Sequence, residues 1–277
     1  MRQGQGEMLA MENQISSLSI SDVWEKIDLL KRQGTALMDQ PASFLIPDQV
    51  ARDVIVLPSE NLPGKKGLSY KEGQARLLHD LASIELQAME LAIRTLIEFR
   101  EAPLNFRTEL LVLAIEESQH LSLCLQAIEK LGFRWGSWPV HVGLWQTVSQ
   151  EDSLLDRVVI VHRYLEGSGL DAGDTLLRRL SGVPDSPIHQ VIKTIVHDEI
   201  EHVQFGSYWY REICRMEKID PSVDFPSRME RLKNNLPSRI EPININLRKA
   251  AGFTEEEVTF MQKYRDSLLI KNKNNKK

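Results

Sequence analysis

Two glutamate–histidine pairs with the same spacing are the residues of this chain best suited to metal chemistry. Glu117 lies three residues before His120, and Glu199 lies three residues before His202. Positions i and i+3 share one face of a helix, so each pair presents a carboxylate and an imidazole to the same metal ion. None of the other five histidines has a glutamate at this spacing. The repeat predicts one pair of metal ligands on each of two helices.

A single glutamate precedes each pair at nearly the same distance. Glu85 lies 32 residues before Glu117, and Glu166 lies 33 residues before Glu199. Both halves of the chain therefore contain a lone glutamate followed by a Glu-x-x-His motif. The competing interpretation is that these residues are surface charges at helical spacing. Their neighbours are largely apolar, such as Leu86 beside Glu85, which is not typical of a solvent-exposed helix face.

Four long helices are needed to position these residues. The spacing of apolar residues predicts helices from Glu72 to about Arg100, from Leu104 to Leu131, from Glu151 to Leu180 and from Ile188 to about Lys218. Ser69 and Glu72 match a capping box at the start of the first helix, and Thr254 with Glu257 matches one near the end of the chain.

The predicted helix lengths bring the glutamates to the same height. Glu85 lies about 15 residues, roughly 22 Å, before the end of its helix, and Glu117 lies about 13 residues, roughly 20 Å, into the next. In an antiparallel pair the two carboxylates are therefore level. The same comparison places Glu166 level with Glu199.

The rest of the chain is expected to cover this bundle. Four prolines interrupt residues 41–68, which predicts an extended segment, and proline also recurs after residue 220. We expect an all-α fold: a four-helix bundle with a long crossover, plus wrapping segments at both ends. The predicted divisions are residues 1–68, with a helix and an extended segment, residues 69–219, with the bundle, and residues 220–277, with a terminal helix.

Four carboxylates in the apolar centre of a bundle require compensating charge. A buried, unpaired ion costs several kcal/mol, and two divalent cations cancel four negative charges. Carboxylate and imidazole ligands suit iron or manganese. We predict two iron ions, with manganese as the alternative at one or both positions. Glu85, Glu117 and His120 would hold one ion, and Glu166, Glu199 and His202 would hold the other.

An acidic residue stands directly before each glutamate of the two motifs. A metal-bound imidazole needs an acceptor for its second ring N–H. We expect Asp198 to contact His120 and Glu116 to contact His202 across the bundle. The alternative is that both acids are partly exposed helix charges.

Several further residues are open to more than one interpretation. His162, four residues before Glu166, is an extra ligand, a proton donor or, as we favour, a hydrogen-bonded core histidine. His141 either lines an entrance or hydrogen-bonds its loop, and Cys124 suits the core better than redox chemistry. Gly167 and Gly169 are unfavourable within a helix unless a π-bulge or a widened groove lies beside the metal ligands.

From about residue 50 to 260, the chain resembles the ferritin-like family catalogued as domain of unknown function 455. The matching stretches are Ala75–His79, Ile84–Ala88, Glu116–His120, Pro139–Trp145, Leu165–Asp171, Asp198–Val203 and Leu247–Gly252. The resemblance implies a ferritin-like fold and kinship to di-iron tRNA hydroxylases, and it supplies no substrate. The chain departs from the pattern at Ser83, near an expected Ala-His, and at His162, where proline is expected.

The favoured function is a non-haem di-iron oxidoreductase that uses dioxygen or peroxide to oxidise an organic substrate. The substrate would be a small molecule or a modified biomolecule. Electrons would come from an external donor, since the chain has no flavin or nicotinamide fingerprint. A ferroxidase or iron-storage protein ranks lower, because about 70 residues before the bundle and 60 after it would have to fit on a shell of many copies. A metal-free interaction bundle is the third alternative.

Other functions are disfavoured by motifs and composition. The chain lacks the paired CxxC motifs of a rubrerythrin-type peroxidase, and Tyr164 faces away from the predicted site, which argues against a radical-generating subunit. A net charge of −5 argues against nucleic acid as a partner. No apolar stretch suits a membrane span or a signal peptide, and two cysteines favour a reducing cytoplasm. A homodimer is compatible with these features.

Overall fold

The computed structural model describes residues 15–39, 44–182, 187–238 and 241–274 of an all-α protein. Besides three short 3-10 helices, the described residues form α1 (Val23–Asp39), α2 (Lys71–Glu98), α3 (Leu104–Lys130), α4 (Leu154–Val158), a π-helical segment (Val159–Leu165), α5 (Glu166–Leu180), α6 (Pro187–Glu217), α7 (Pro221–Leu232), α8 (Ile245–Ala250) and α9 (Glu255–Asn274). Among these described helices, none is both long and apolar enough to cross a bilayer.

The long helices pack in the predicted pairs. Helix α2 lies along α3, α5 lies along α6, and α3 also contacts α6. A short turn joins the first pair, and residues 131–153 form the crossover to the second. Within the described residues, β pairing is limited to one bridge between Val56 and Val140, which fastens the N-terminal segment to the crossover. The predicted all-α class is confirmed, and the packing is consistent with the predicted four-helix bundle.

The start of α2 differs from the prediction. Helix α2 begins at Lys71, with Tyr70 in the capping position and no capping side chain, so the predicted Ser69–Glu72 capping box is wrong. Glu72 instead forms an ion pair with Lys66, and the Gln74 side chain donates to the Leu68 carbonyl over 2.8 Å. Contacts with the preceding extended segment therefore replace the local cap.

The helix predicted from about Glu151 to Leu180 is present, with a later start and a change of helix type. Helix α4 begins at Leu154, and the preceding Ser153 forms a capping box with Asp156 in which both hydrogen bonds are 3.1 Å long. Seven residues, Val159–Leu165, then form π-helix rather than α-helix. The π-helical segment ends directly before Glu166, which agrees with the widening that the glycines predicted.

Helix caps in the C-terminal part follow the sequence more closely. The predicted capping box of α9 is confirmed: Thr254 N donates to Glu257 Oε2 over 2.9 Å, and Glu257 N donates to Thr254 Oγ1 over 3.2 Å. Helix α7 begins at Pro221, because the Asp220 side chain accepts from Ser222 N over 2.9 Å.

A buried ion cluster holds the N-terminal segment against α2. Lys26 of α1 donates to Glu90 Oε1 over 2.5 Å, and Arg52 of the extended segment donates to both oxygens of Glu90, over 2.6 and 2.5 Å. The side chains of all three are at most 3% exposed. Phe44 and Val50 of the extended segment belong to the same hydrophobic core as the bundle helices. The segment is therefore packed onto the bundle.

Two buried ion pairs fix the C-terminal helices to the π-helical region. Arg163 forms two hydrogen bonds with Glu257 of α9, at 2.9 and 2.7 Å. Arg248 of α8 contacts Asp171 of α5 over 2.7 Å. Phe225 of α7 also belongs to the common core. Both ends of the described chain thus support the helices that carry the predicted ligands.

Candidate metal centre

Four of the predicted metal ligands converge at the centre of the bundle. One donor atom from each lies within 4.8 Å of one from every other; the four are Glu117, His120, Glu199 and His202. All four residues are buried. Their i, i+3 spacing on α3 and α6 places each carboxylate beside the imidazole of its own motif, as the sequence predicted.

The two lone glutamates flank this group. Glu85 Oε2 lies 3.5 Å from His120 Nδ1, and Glu85 is 3% exposed. Glu166, half-buried in the first turn of α5, lines the same cavity as Glu85 and Glu199. The structure therefore brings all six predicted ligands to one region, with four in a tight group and two at its edge.

Glu117 lies between the two imidazoles. Its Oε1 is 2.9 Å from His202 Nδ1, and its Oε2 is 3.7 Å from His120 Nδ1. By comparison, Glu199 Oε1 is 3.5 Å from His202 Nδ1. Glu117 thus presents one oxygen towards each histidine, so it would contribute to holding cations beside either imidazole.

Each imidazole contacts an acid from the opposite helix through its second nitrogen. His120 Nε2 lies 3.2 Å from Asp198 Oδ2, and His202 Nε2 lies 3.2 Å from Glu116 Oε2. Both predicted contacts are present. The side chains of Asp198 and Glu116 are 43% and 44% exposed, so they are also the partly exposed charges of the alternative interpretation. Their effect on metal binding stays a prediction.

Several polar atoms that face the centre have no hydrogen bond to any described residue. They are both carboxylate oxygens of Glu117, Oε2 of Glu199 and the Nδ1 atoms of His120 and His202. Each such buried, unsatisfied group costs about 1–3 kcal/mol. Cations placed among these atoms would satisfy all of them at once, so the residues present fit a metal centre.

The charges of the group shift its pKa values strongly. Burial lowers the pKa of His120, but the close negative charges of Glu117 and Glu85 outweigh it and raise that pKa to about 11. Burial likewise opposes a charged His202, yet Glu117 and Glu116 raise its pKa well above the ordinary value. Burial, with the neighbouring carboxylates, raises the pKa of Glu85. Protons thus balance the carboxylate charge when no cation does.

A cavity of about 250 Å³ adjoins the carboxylates. It lies between α2, α5 and α6, and its walls are mostly aliphatic. Glu85, Glu166 and Glu199 line it, and so do Lys65 and Asp80. The arrangement gives a small apolar molecule direct access to the predicted ligands.

His162 does not have the hydrogen bonds expected of a satisfied core histidine. It is 1% exposed, and neither ring nitrogen has a hydrogen-bond partner among the described residues, so the favoured interpretation is wrong. The reason is its surroundings: the ring packs on Phe205 at 4.9 Å, and its Cβ lies against Gly206. Burial and the charge of His202 lower the pKa of His162 to about 3. Its roles as ligand or proton donor stay predictions.

The two other residues with open roles pack structurally. His141 Nδ1 accepts a hydrogen bond from Gly143 N over 3.1 Å, which is a hydrogen bond within its loop, one of its two predicted roles. Cys124 is fully buried in the core, and burial raises the pKa of its thiol, as expected of core packing.

Sequence reasoning missed the contribution of Arg248. Its Nη1 donates to the Arg163 carbonyl, within the π-helical segment, over 3.0 Å, and its Nε donates to Asp171 over 3.1 Å. Gly167 was the available signal, because a helical glycine often marks the close approach of another group. The local pattern around Gly167 does not identify Arg248, 81 residues away, as the group that approaches it.

Comparison with known proteins places the chain in a family without assigning its chemistry. An uncharacterised protein of Haemophilus influenzae is 29% identical over 212 residues, which cover 74% of this chain and 73% of that protein. No solved structure matches the chain. The model of one family, described as "Protein of unknown function (DUF455)", matches residues 12–259. Because this match covers most of the 277 residues, the chain belongs to that family.

Proposed function

We propose that this protein is a non-haem di-metal oxidoreductase of ferritin-like type, with two iron ions or manganese in their place. When bound, the metals supply the electron transfers that reduce dioxygen or peroxide and oxidise an organic substrate. The electron donor is external to the chain. A cytoplasmic location suits the two buried free cysteines, Cys124 and Cys214.

The observation that carries this proposal is the set of buried donor atoms without hydrogen bonds. Two glutamates and two histidines direct such atoms at one another within 4.8 Å. Oxygen and imidazole donors in this ratio suit iron and manganese. Glu85 and Glu166 add one carboxylate at each side.

The chain itself has three tasks at this site. Asp198 and Glu116 hold the Nε2 atoms of His120 and His202, which directs the Nδ1 atoms at the centre. Glu117 presents one oxygen towards each imidazole. The aliphatic walls of the adjoining cavity exclude water, which strengthens the electrostatic interactions within the site.

The same cavity favours an oxidase over a ferroxidase or storage protein. Iron entering a storage protein needs a polar route, whereas this cavity is walled mainly by aliphatic side chains. An organic substrate gains free energy by burying apolar surface there, at about 25 cal/mol per Å².

Anaerobic loading with Fe(II), followed by metal analysis and exposure to oxygen, tests the proposal. We expect about two irons per chain and, with a chemical reductant, repeated oxygen consumption. A variant with alanine at His120 and His202 should lose both properties, while a variant with alanine at the exposed His189 keeps them. Wild-type protein without bound metal would contradict the proposal. Growth of a many-iron mineral would instead support storage.

A further inference from the structure

The cavity beside the carboxylates is long, and it extends further on one side of them than on the other, where Leu91 and Val161 line it. On α2 its lining reaches from Glu85 back to Leu77, eight residues away. On α5 it reaches from Glu166 to Leu176, ten residues away, and on α6 from Glu199 to Ile192, seven residues away. At 1.5 Å per residue these distances are about 10–15 Å.

The lining over this length is mostly aliphatic, and a volume of about 250 Å³ spread along it leaves a small cross-section. Leu77, Leu81 and Ile84 recur along one face of α2, and Ile192 and Val196 face them from α6. Gly169 lines the cavity at a solvent-exposed position, where a Cβ would meet no atom within 4 Å. A straight chain fits such a space better than a ring system does.

A charged rim marks the outer part of the cavity. Lys65, from the N-terminal segment, pairs with Asp80 over 2.6 Å, and its side chain is 58% exposed. Arg76 donates to the other oxygen of Asp80 over 2.8 Å. Two cations therefore share one carboxylate, and the rim retains a positive charge. Because the ammonium of Lys65 is largely exposed, its pair with Asp80 contributes only about 0–1 kcal/mol, and an anionic ligand competes for it.

We propose that this cavity binds an unbranched aliphatic chain of roughly ten atoms with an anionic head group, its head at Lys65 and its far end at the carboxylates. Binding at this site follows from the lining and the rim alone. That the far end is the part oxidised rests on the proposed function. A carboxylate and a phosphate head share the required charge.

Titration calorimetry on the full, anaerobically metal-loaded protein tests the binding, with decanoate, decyl phosphate, decanol and decylammonium as probes. We expect the two anions to bind at least tenfold more tightly than decylammonium, with decanol between them. A preference for decanoate or for decyl phosphate shows whether the head group of the natural ligand is a carboxylate or a phosphate. Adamantane-1-carboxylate, with the same charge and a bulky body, should bind at least tenfold more weakly than decanoate.

Two pairs of variants test where the aliphatic ligand binds. Lys65→Glu should remove the preference for anions, while the matched control Lys66→Glu, whose lysine pairs with Glu72, should retain it. Gly169→Leu should weaken decanoate binding at least tenfold by filling space along the cavity, while Gly169→Ala should bind nearly as wild type. Circular dichroism checks that each variant is folded.

The outcomes separate this inference from the proposed function. Equal affinity for anionic and cationic probes, no effect of Gly169→Leu in folded protein, or no binding of any probe would each overturn it. Metal-loaded protein that binds none of the aliphatic probes would reject this inference alone. Protein that binds decanoate but takes up no metal would reject the proposed function and leave this binding site in place.

Discussion

The guanidinium of Arg248 occupies the space that a side chain on residue 167 would need. A Cβ on Gly167 would lie 1.9 Å from Arg248 Nη1, far inside van der Waals contact. From this position Arg248 reaches the Arg163 carbonyl and the Asp171 carboxylate. A π-helical turn leaves carbonyls without their usual partners, so this contact stabilises the turn that positions Glu166.

We therefore expect Gly167→Ala to destabilise both the fold and the metal site. The methyl group would displace Arg248, at a cost of about 1–3 kcal/mol for overpacking, and would loosen the turn before Glu166. Thermal unfolding and Fe(II) affinity should both decrease. Gly169→Ala is the matched control: it meets open space, and alanine favours helix over glycine by about 0.8–1.0 kcal/mol. Equal unfolding temperatures for the two variants would contradict this account.

The candidate ligands could be predicted because their signal is local and repeated. The i, i+3 spacing in Glu117–His120 and Glu199–His202 is a property of any α-helix, and helix lengths alone bring Glu85 level with Glu117. The contacts of Asp198 and Glu116 followed from the same repeat. Each of these inferences needed only helical geometry and one assumption, that the helices are antiparallel.

The features that the sequence did not reveal depend on distant contacts. Arg248 meets Gly167 across 81 residues, and no local pattern connects them. The first turn of α2 is held by Lys66 and Leu68 instead of a cap, because the preceding segment folds back on it. His162 was expected to find an acceptor, yet the π-helical segment directs it at Phe205 and Gly206.

Removing either imidazole should lower metal content without unfolding the bundle. His120→Ala and His202→Ala each delete one nitrogen donor, so we expect fewer than two irons per chain after loading and a nearly unchanged helical signal. Elemental analysis and circular dichroism measure the two quantities. His189→Ala, on the exposed side of α6, should retain the wild-type iron content. If both site variants keep two metals per chain, the ligand assignment is wrong.

Asp198→Asn and Glu116→Gln should weaken metal binding without abolishing it. Each change keeps the shape of the side chain but removes the negative charge opposite an imidazole Nε2, and such changes cost about 10–100-fold in affinity. Competition with a chelator of known affinity measures the effect. Glu201→Gln is the control, because Glu201 is exposed on the same helix. If all three variants have the same affinity, Asp198 and Glu116 are merely solvated charges.

Metal binding should release protons and strengthen as pH rises. Without metal, the raised pKa of His120, about 11, and that of His202 keep both imidazoles protonated at neutral pH. A metal ion binds only the unprotonated nitrogen, so about two protons must leave when both histidines coordinate. Affinity should therefore fall as pH falls. Calorimetry in two buffers of different ionisation enthalpy counts the released protons. Binding that is independent of pH between 6 and 8 would contradict coordination by these histidines.

Glu90→Gln should detach the N-terminal segment from the bundle. Glu90 is the shared partner of the buried Lys26 and Arg52, so an uncharged side chain leaves two cations buried without a counter-ion. Removing one partner of a buried pair costs about 3–5 kcal/mol, and here the segment is attached to α2 through that partner. We expect faster proteolysis within residues 44–68 and a lower unfolding temperature.

Glu129→Gln, at an exposed position of α3, is the control for loss of one negative charge. Adding Lys26→Met to Glu90→Gln removes one of the stranded cations and should restore part of the protease resistance. If proteolysis of Glu90→Gln matches that of wild type, the apolar contacts of Phe44 and Val50 alone hold the segment in place.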